Sequence, residues 1–211
     1  GPEVTYDGPG LLREFPQVTG IMVGEGEVTF REVLEHYVRE TETAGQSEQQ
    51  PEPDRIEQQA ADRTGTVAGK SVAERFGQIS GLCLASGYTA PRELTDLTTL
   101  PFLYEDMEPF TNRIIYYETS RGCPYRCSYC LSSIDKKVRL RDIDVVKREL
   151  QFFLDHKVPQ VKFVDRTFNC KQEHAMAIWK YILEHDNGVT NFHFEVSADL
   201  LRDEEMDLMA K

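Results

Sequence analysis

The sequence predicts an α/β protein, and three observations support that class. Short apolar segments that suit buried strands alternate with segments whose apolar residues recur at helical spacing. The strands are continuous apolar runs separated by polar turns, which is typical of a parallel sheet with helices on its faces. The 211 residues, 40% of them hydrophobic, are enough for one large domain or two small ones.

The first 110 residues contain one recognisable strand–helix unit. A buried strand over 17–23 passes through a glycine-rich turn into a helix over 29–40, as in a piece of an α/β domain. Polar residues dominate from 41 to 75, which predicts a flexible linker or surface insertion. Residues 76–110 are predicted to form a connecting segment with a short strand over 79–84.

From residue 111 onward, strands and helices alternate regularly. Each apolar strand is followed by an amphipathic helix, which predicts a β-α-β-α-β-α arrangement around a parallel sheet. In such folds the loops after the carboxyl ends of the strands carry the chemistry. The predicted strands are 114–118, 160–164 and 191–196, and the predicted helices are 144–156, 170–185 and 202–211, with Asp142 or Asp144 and then Asn169 as N-caps of the first two helices.

The charge distribution excludes some partners and suggests others. The net charge of −12 argues against a nucleic-acid binder or a membrane-surface binder, since both carry a basic excess. The acids concentrate in residues 1–62, whereas 121–148 is locally basic. That basic stretch is interpreted either as a patch that attracts an anionic substrate or an acidic electron donor, or as an ordinary solvated surface. No apolar run approaches the ~18 residues that a membrane span needs.

Three of the five cysteines carry the strongest chemical signal. Cys123, Cys127 and Cys130 lie at spacing C-x3-C-x2-C on the loop after the predicted strand 114–118. Thiolates are ordinary ligands of iron–sulfur clusters, and three of them leave one iron open for a substrate or cosubstrate. Two alternatives are a zinc site completed by Cys170 or a histidine, and a cluster of redox-active thiols. Clustered cysteines in odd number do not suit a secreted disulfide framework, so a reducing cytoplasm is expected.

This cysteine loop resembles that of a known superfamily. The segment Glu118–Cys130, which reads ETSRGCPYRCSYC, is similar to the cluster loop of the radical S-adenosylmethionine (radical SAM) superfamily. Its Ser-Arg-Gly-Cys-Pro start resembles the branch that has an N-terminal cobalamin-binding domain. Four further segments fit the same branch: 1–3, 23–27, 162–169 and 192–199.

The resemblance implies a fold and a domain order. Residues 111–211 would form the first three β/α units of a partial (β/α)6-type radical SAM barrel. Residues 1–40 would be the C-terminal remnant of a Rossmann-like cobalamin-binding domain. The chain is therefore expected to be a fragment of a longer protein.

The resemblance also assigns roles within the loop. Cys123, Cys127 and Cys130 would bind three irons of a [4Fe-4S] cluster, and S-adenosylmethionine would chelate the fourth through its amine and carboxylate. Tyr129 would pack near the adenine. One electron from the reduced cluster would cleave the cosubstrate to methionine and a 5′-deoxyadenosyl radical, which would abstract a hydrogen from the substrate.

Three residues at the ends of later strands are candidate cosubstrate ligands. Asp165 follows the second strand and would accept from the methionyl ammonium; the alternative is an Asp that caps the next helix. Glu195 and Ser197 end the third strand and would contact the ribose or the methionyl group; the alternative is ordinary solvation. His193 alternates with two phenylalanines and is expected to point into the barrel, opposite to them.

The remaining singled-out residues have structural interpretations. Cys83 is expected to pack in a core and Trp179 to lie on the apolar stripe of its helix, while His156, His174 and His185 are expected at the surface. The predicted function is a radical SAM enzyme with a small-molecule substrate, an electron donor such as flavodoxin or ferredoxin, and cobalamin as a candidate further cofactor. The alternative is a non-catalytic iron–sulfur or zinc protein for electron transfer or sensing.

Overall fold

The computed structural model describes residues 2–45, 71–135 and 137–211. Most of the predicted linker, residues 46–70, lies outside the described residues. The chain divides into two compact units, Gly1–Thr95 and Asp96–Lys211. The division falls inside the predicted connecting segment 76–110.

The first unit is built on a small antiparallel sheet. Its strand order is β1-β2-β3, with Gly20 of β1 opposite Leu84 of β2. Strand β2, the neighbour of β1, comes from the predicted connecting segment. Its three residues are all buried and form an apolar strand. The elements are α1 (Pro2–Thr5), α2 (Gly8–Glu14), β1 (Gly20–Met22), α3 (Glu27–Gly45), α4 (Val72–Phe76), β2 (Leu82–Leu84) and β3 (Gly87–Tyr88).

Helix α4 was not predicted, because five residues are too few to display a periodic pattern. It is fixed by a capping box, in which Ser71 Oγ accepts from the Glu74 N–H and the Glu74 carboxylate accepts from the Ser71 N–H at 2.7 Å. Arg75 joins α4 to α3 through an ion pair with Glu40 at 2.6 Å, and its hydrogen bonds lower the pKa of Glu40.

Cys83 is fully buried, as predicted. Among the described residues, no helix combines the length and the apolar character that crossing a membrane requires.

The second unit confirms the predicted alternation of strands and helices. Its main sheet is parallel with order β4-β7-β8, and β5 and β6 form a separate two-stranded antiparallel ribbon that was not predicted. The elements are β4 (Ile115–Tyr117), β5 (Ser120–Arg121), β6 (Arg139–Leu140), α5 (Ile143–Asp155), β7 (Gln160–Phe163), α6 (Gln172–Glu184), β8 (Asn191–His193) and α7 (Asp203–Met209).

One hydrophobic core joins this sheet to its helices. Residues of α5 and α6 at helical spacing pack against the strand residues that face them. Phe102, from the segment before β4, adds an aromatic contact with Phe153 at a centroid distance of 5.4 Å. The fully buried members include Val146, Leu150 and Phe153 of α5, Ile178 of α6, and Ile115, Val161 and Phe163 of the strands, and Trp179 is nearly as buried, as predicted.

The opposite face of the sheet carries a polar row. Tyr116, Lys162 and His193 are register partners on β4, β7 and β8. Tyr116 and His193 are exposed, whereas their neighbours Ile115 and Val161 are buried. His193 therefore lies on the face away from the helices, as its alternation with phenylalanine predicted.

Candidate functional site

The cysteine loop begins and ends at the β5–β6 ribbon. Ser120 pairs with Leu140 and Arg121 pairs with Arg139, which closes the loop 122–138 at its base. The loop follows β4 at the carboxyl end of a parallel strand. The three cysteines therefore lie at the edge of the sheet where α/β folds place their ligands.

Gly122 is required by the way the loop leaves the ribbon. Its φ is +101°, and a Cβ atom at this position would lie 2.5 Å from the carbonyl oxygen of Lys137. The next residue, Cys123, donates its backbone N–H to the carbonyl oxygen of Asp135 at 3.1 Å. Only glycine allows the two sides of the loop to approach this closely.

The Asp165 side chain binds residues that immediately precede the cysteine loop. Its carboxylate accepts from the Thr119 N–H at 3.0 Å, from Thr119 Oγ1 at 2.7 Å and from Ser120 Oγ at 2.5 Å. It is 1% exposed, and burial raises the pKa of its carboxyl although these hydrogen bonds act in the opposite direction. The helix-capping alternative is wrong, since α6 begins after Lys171 without a side-chain cap. The contact of Asp165 with a cosubstrate stays a prediction.

The three cysteines of the loop differ in exposure. Cys123 is buried, with its Sγ 3.5 Å from Thr167 Oγ1, whereas Cys127 is exposed and Cys130 is partly exposed. The Cys130 N–H donates to the Cys127 carbonyl oxygen at 3.1 Å, so these two residues are linked by a tight turn. Within the part of the chain that the structure describes, none of the three forms a disulfide.

This donor set suits a cluster better than a single metal ion. Within the ranges that the structure describes, no three His, Cys, Asp or Glu side chains converge where one ion could bind, as a closed zinc site would require. In a cubane cluster each thiolate binds a different iron, so the three sulfurs need not meet at one point. Cys170 is a poor fourth ligand, because burial raises the pKa of its thiol and favours the protonated form.

The loops after β7 and β8 are joined by an amide pair. Asn169 Oδ1 accepts from the Ser197 N–H at 2.8 Å, and Asn169 Nδ2 donates to the Ser197 carbonyl oxygen at 2.9 Å. Asn169 is therefore not the N-cap of α6 that the sequence predicted, because its side chain is committed to this pair. A backbone hydrogen bond from Phe168 to Glu195 at 2.9 Å adds to the connection.

The cysteine loop is also joined to the end of the third strand. The Tyr125 hydroxyl lies 3.1 Å from Ser197 Oγ and donates to the Asp199 carboxylate at 3.1 Å, and Ser197 Oγ donates to the same carboxylate at 2.6 Å. Sequence reasoning missed Tyr125 and Asp199. The short Ser-Ala-Asp sequence was visible, but nothing in it indicates a contact with a tyrosine 74 positions away.

The other two predicted ligands, Glu195 and Tyr129, lie at exposed positions. Glu195 is exposed, with its carboxylate 3.8 Å from Lys162 Nζ, and Tyr129 is 91% exposed. The structure thus places Asp165 against residues that precede the cysteine loop, and Ser197 against Tyr125 within it. The roles of Tyr129, Glu195 and Ser197 toward a cosubstrate stay predictions.

The basic stretch 121–148 is less available than its sequence suggests. Three of its arginines form ion pairs within the same unit, which reduces the field that they present to a partner. These pairs are Arg121 with Glu118 at 2.7 Å, Arg139 with Asp135 at 3.0 Å and Arg141 with Glu149 at 2.6 Å.

A cavity of about 770 Å³ opens between the starts of α5 and α6. None of the seven predicted site residues lines it, so it is separate from the cysteine loop. His174 lines this cavity and is buried, in contrast to its predicted surface position, because it lies on the inner side of the first turn of α6. Burial lowers the pKa of this histidine.

A known family matches part of the second unit. Residues 117–211 match the family described as the radical SAM superfamily. Over these residues, which we call the radical SAM segment, the chain is similar to that superfamily. The radical SAM segment contains all three cysteines of the loop and every strand-end residue discussed above.

Two curated relatives extend the match beyond the radical SAM segment. The chain is 24% identical over 181 residues to an uncharacterized methyltransferase of Pyrococcus horikoshii, covering 84% of this chain and 35% of that protein. It is 29% identical over 180 residues to the 2-(S-pantetheinyl)-carbapenam-3-carboxylate methyltransferase of Streptantibioticus cattleyicolor, covering 80% of this chain and 22% of that protein. The chain therefore spans only about a third or less of the length of these relatives.

Two solved structures share the fold. One is the radical SAM methyltransferase TsrM of Kitasatospora setae with a tryptophan substrate and a SAM analog bound, with a TM-score of 0.61, 17% identity, and coverage of 98% of this chain and 38% of that one. The other is the cobalamin-dependent S-adenosylmethionine radical enzyme OxsB with aqua-cobalamin and S-adenosylmethionine bound, with a TM-score of 0.60, 14% identity, and coverage of 98% and 27%. At these identities the likeness shows the fold alone.

Proposed function

We propose that this chain is the cluster-binding part of a radical SAM enzyme that cleaves S-adenosylmethionine reductively. The observation that carries the proposal is the loop 122–138, which holds three cysteines at C-x3-C-x2-C spacing at the carboxyl edge of a parallel sheet. Cys123, Cys127 and Cys130 would hold three irons of a [4Fe-4S] cluster. The fourth iron, which has no protein ligand in this set, is left for the cosubstrate.

The chain's own residues would bind and orient these groups. When bound, the cluster supplies the single electron that cleaves the sulfonium, and the protein contributes position and exclusion of water. Asp165 and Gly122 fix the start of the loop, which sets the position of the buried Cys123 thiol. Tyr129 is proposed to contact the adenine, and Glu195 and Ser197 the ribose or the methionyl group.

The wider protein is proposed to use cobalamin for methyl transfer. Two curated relatives are named as methyltransferases, and one structural neighbour holds both aqua-cobalamin and S-adenosylmethionine. Residues 111–211 would then be the first three units of a (β/α)6-type barrel and 1–40 the last part of a Rossmann-like cobalamin domain. The substrate is proposed to be a small molecule, the electron donor a flavodoxin or ferredoxin, and the compartment the reducing cytoplasm.

The proposal is tested by anaerobic reconstitution with iron and sulfide. We expect a reduced cluster whose electron paramagnetic resonance shifts when S-adenosylmethionine is added to the full-length parent protein. Cys127→Ala should abolish the cluster, because two local thiolates cannot hold a cubane. Cys170→Ala is the matched control and should retain it.

Three outcomes would count against this function. Zinc bound without sulfide would exclude a cluster protein. A cluster signal that S-adenosylmethionine does not move in the full-length protein would favour the electron-transfer or sensing alternative. Loss of the cluster in Cys170→Ala but not in Cys127→Ala would overturn the ligand assignment.

A further inference from the structure

We propose that Tyr125 is a positioning residue, whose hydroxyl joins the cysteine loop to the loop after β8 through Ser197 and Asp199. We call these three residues the Tyr125 clasp. Its effect on a cluster rests on the proposed function, whereas its effect on the loop itself does not. The clasp assigns Ser197 a protein partner in addition to its predicted role toward the cosubstrate.

The geometry of the clasp is that of a charge-assisted network. Asp199 accepts from Tyr125 Oη at 3.1 Å through one carboxylate oxygen and from Ser197 Oγ at 2.6 Å through the other. Tyr125 Oη also lies 3.1 Å from Ser197 Oγ, so the three groups contact each other in pairs. Hydrogen bonds to an ionised acceptor are about twice as strong as neutral ones. These bonds lower the pKa of Asp199, which keeps the carboxylate ionised as the acceptor.

The clasp is attached to a fixed part of the molecule. Ser197 is held by both of its main-chain polar groups through Asn169, which is 3% exposed. A tyrosine that binds Ser197 and Asp199 is therefore connected through Asn169 to the loop after β7.

The position of Tyr125 in the loop determines what the clasp controls. Asp165 holds the loop at Thr119 and Ser120, before the first cysteine. Tyr125 lies between Cys123 and Cys127, so the clasp is a second attachment, within the loop itself and two residues from the exposed Cys127. Ordering a loop costs backbone entropy for each residue that becomes fixed. A loop already held at two points loses less entropy when three thiolates must be placed together.

The clasp also connects Ser197, a predicted cosubstrate ligand, to the cysteine loop. The Ser197 hydroxyl already contacts Asp199 and Tyr125, so a cosubstrate that binds this hydroxyl must share it with the clasp. Cosubstrate binding at the end of β8 would therefore affect the cysteine loop through Tyr125. This is a direct physical connection between the two sides of the site.

The test compares Tyr125→Phe with Tyr181→Phe. Both variants lose one hydroxyl, but Tyr181 donates to Gln151 on the outer helices, away from the cysteine loop. In the metal-free protein, we expect amide hydrogen exchange at Cys130, whose N–H bonds to Cys127, to become about tenfold faster in Tyr125→Phe only. Ser197→Ala should give a similar increase, and the double variant should add little to either single change.

A second readout uses iron and sulfide. The rate of cluster assembly should fall several-fold in Tyr125→Phe and stay unchanged in Tyr181→Phe, with a broadened resonance of the reduced cluster in the former. Equal exchange at Cys130 in the two variants would overturn the clasp. If the unsubstituted protein assembles no cluster, the proposed function fails, but the exchange measurement still decides the clasp.

Discussion

Gly122 faces the carbonyl oxygen of Lys137 so closely that a Cβ atom would lie 2.5 Å from it. Gly122→Ala should therefore combine strain at φ +101° with a backbone clash, and we expect it to lower the free energy of unfolding by about 2–4 kcal/mol. Gly188→Ala is a matched control, because Gly188 has φ +68° and open space around the position of a Cβ. It should show only the strain, about 1–2 kcal/mol, in urea unfolding. Equal losses in the two variants would mean that the close approach at Lys137 is not maintained in solution.

Removal of the Asp165 carboxylate should loosen the loop at its start. Asp165→Ala leaves the Thr119 N–H and two hydroxyl groups without their buried acceptor, at an expected cost of about 2–4 kcal/mol in unfolding free energy. Iron uptake should fall with it. The exposed Asp155, whose side chain accepts from Gln151, provides the control Asp155→Ala, with an expected change within about 0.5 kcal/mol. Normal stability with normal iron uptake in Asp165→Ala would contradict the anchoring role.

A buried ion pair fixes the segment before β4 to α5. Arg141 donates to Glu149 at 2.6 Å and to the carbonyl oxygens of Leu97 and Leu100 at 2.7 and 2.9 Å. Tyr117 donates to the same Glu149 carboxylate at 2.5 Å, and burial together with this carboxylate raises the pKa of Tyr117.

Arg141→Met should be strongly destabilising, because it leaves the Glu149 charge buried without its cation. We expect a loss of about 3–5 kcal/mol in unfolding free energy. The exposed Arg148, on the same helix as Glu149, gives the control Arg148→Met. Replacing both members of the pair with Arg141→Met and Glu149→Leu should recover much of the loss, and a double variant that is worse than the single one would argue against this explanation.

His174 should make the free energy of unfolding decrease as the pH falls below 6.5. Its pKa is lowered from 6.5 by burial, so the folded protein favours the neutral imidazole. Well above pH 6.5 this histidine is neutral in both states and the stability is fully present. As the pH drops below 6.5, the unfolded chain binds a proton that the folded protein binds less well, and unfolding becomes easier by up to about 1.4 kcal/mol per pH unit until the lowered pKa is passed.

The measurement is urea unfolding at several pH values between 7 and 5. His174→Gln should flatten the pH dependence in this window, while His185→Gln, at an exposed position, should leave it unchanged. A slope that is the same in both variants would assign the dependence to other groups.

The extent to which the structure followed from the sequence depends on the range of each interaction. Helix α5 was predicted because Val146, Leu150 and Phe153 repeat with the helical period and the core selects that pattern. The β5–β6 ribbon was not predicted, because two-residue strands have no pattern and their pairing depends on residues almost twenty positions apart.

The candidate site divides in the same way. The three cysteines were predictable because their spacing is itself the signal. The partners of Asp165 and Asn169 were not, because each binds a residue of another strand-end loop, at separations of 46 and 28 positions. Local capping rules pointed both side chains to the nearest helix, whereas the fold gives them stronger partners across the sheet edge.

The unequal burial of the loop's thiols sets an order of chemical attack. Cys127 faces solvent, Cys130 is partly covered and Cys123 is 8% exposed beside Thr167. An alkylating agent or dissolved oxygen would therefore modify the metal-free protein from Cys127 inward and reach Cys123 last. Protein purified in air would first lose metal-binding capacity at its two outer sulfurs, and thiol reductants added early enough would restore it before the inner sulfur is oxidised.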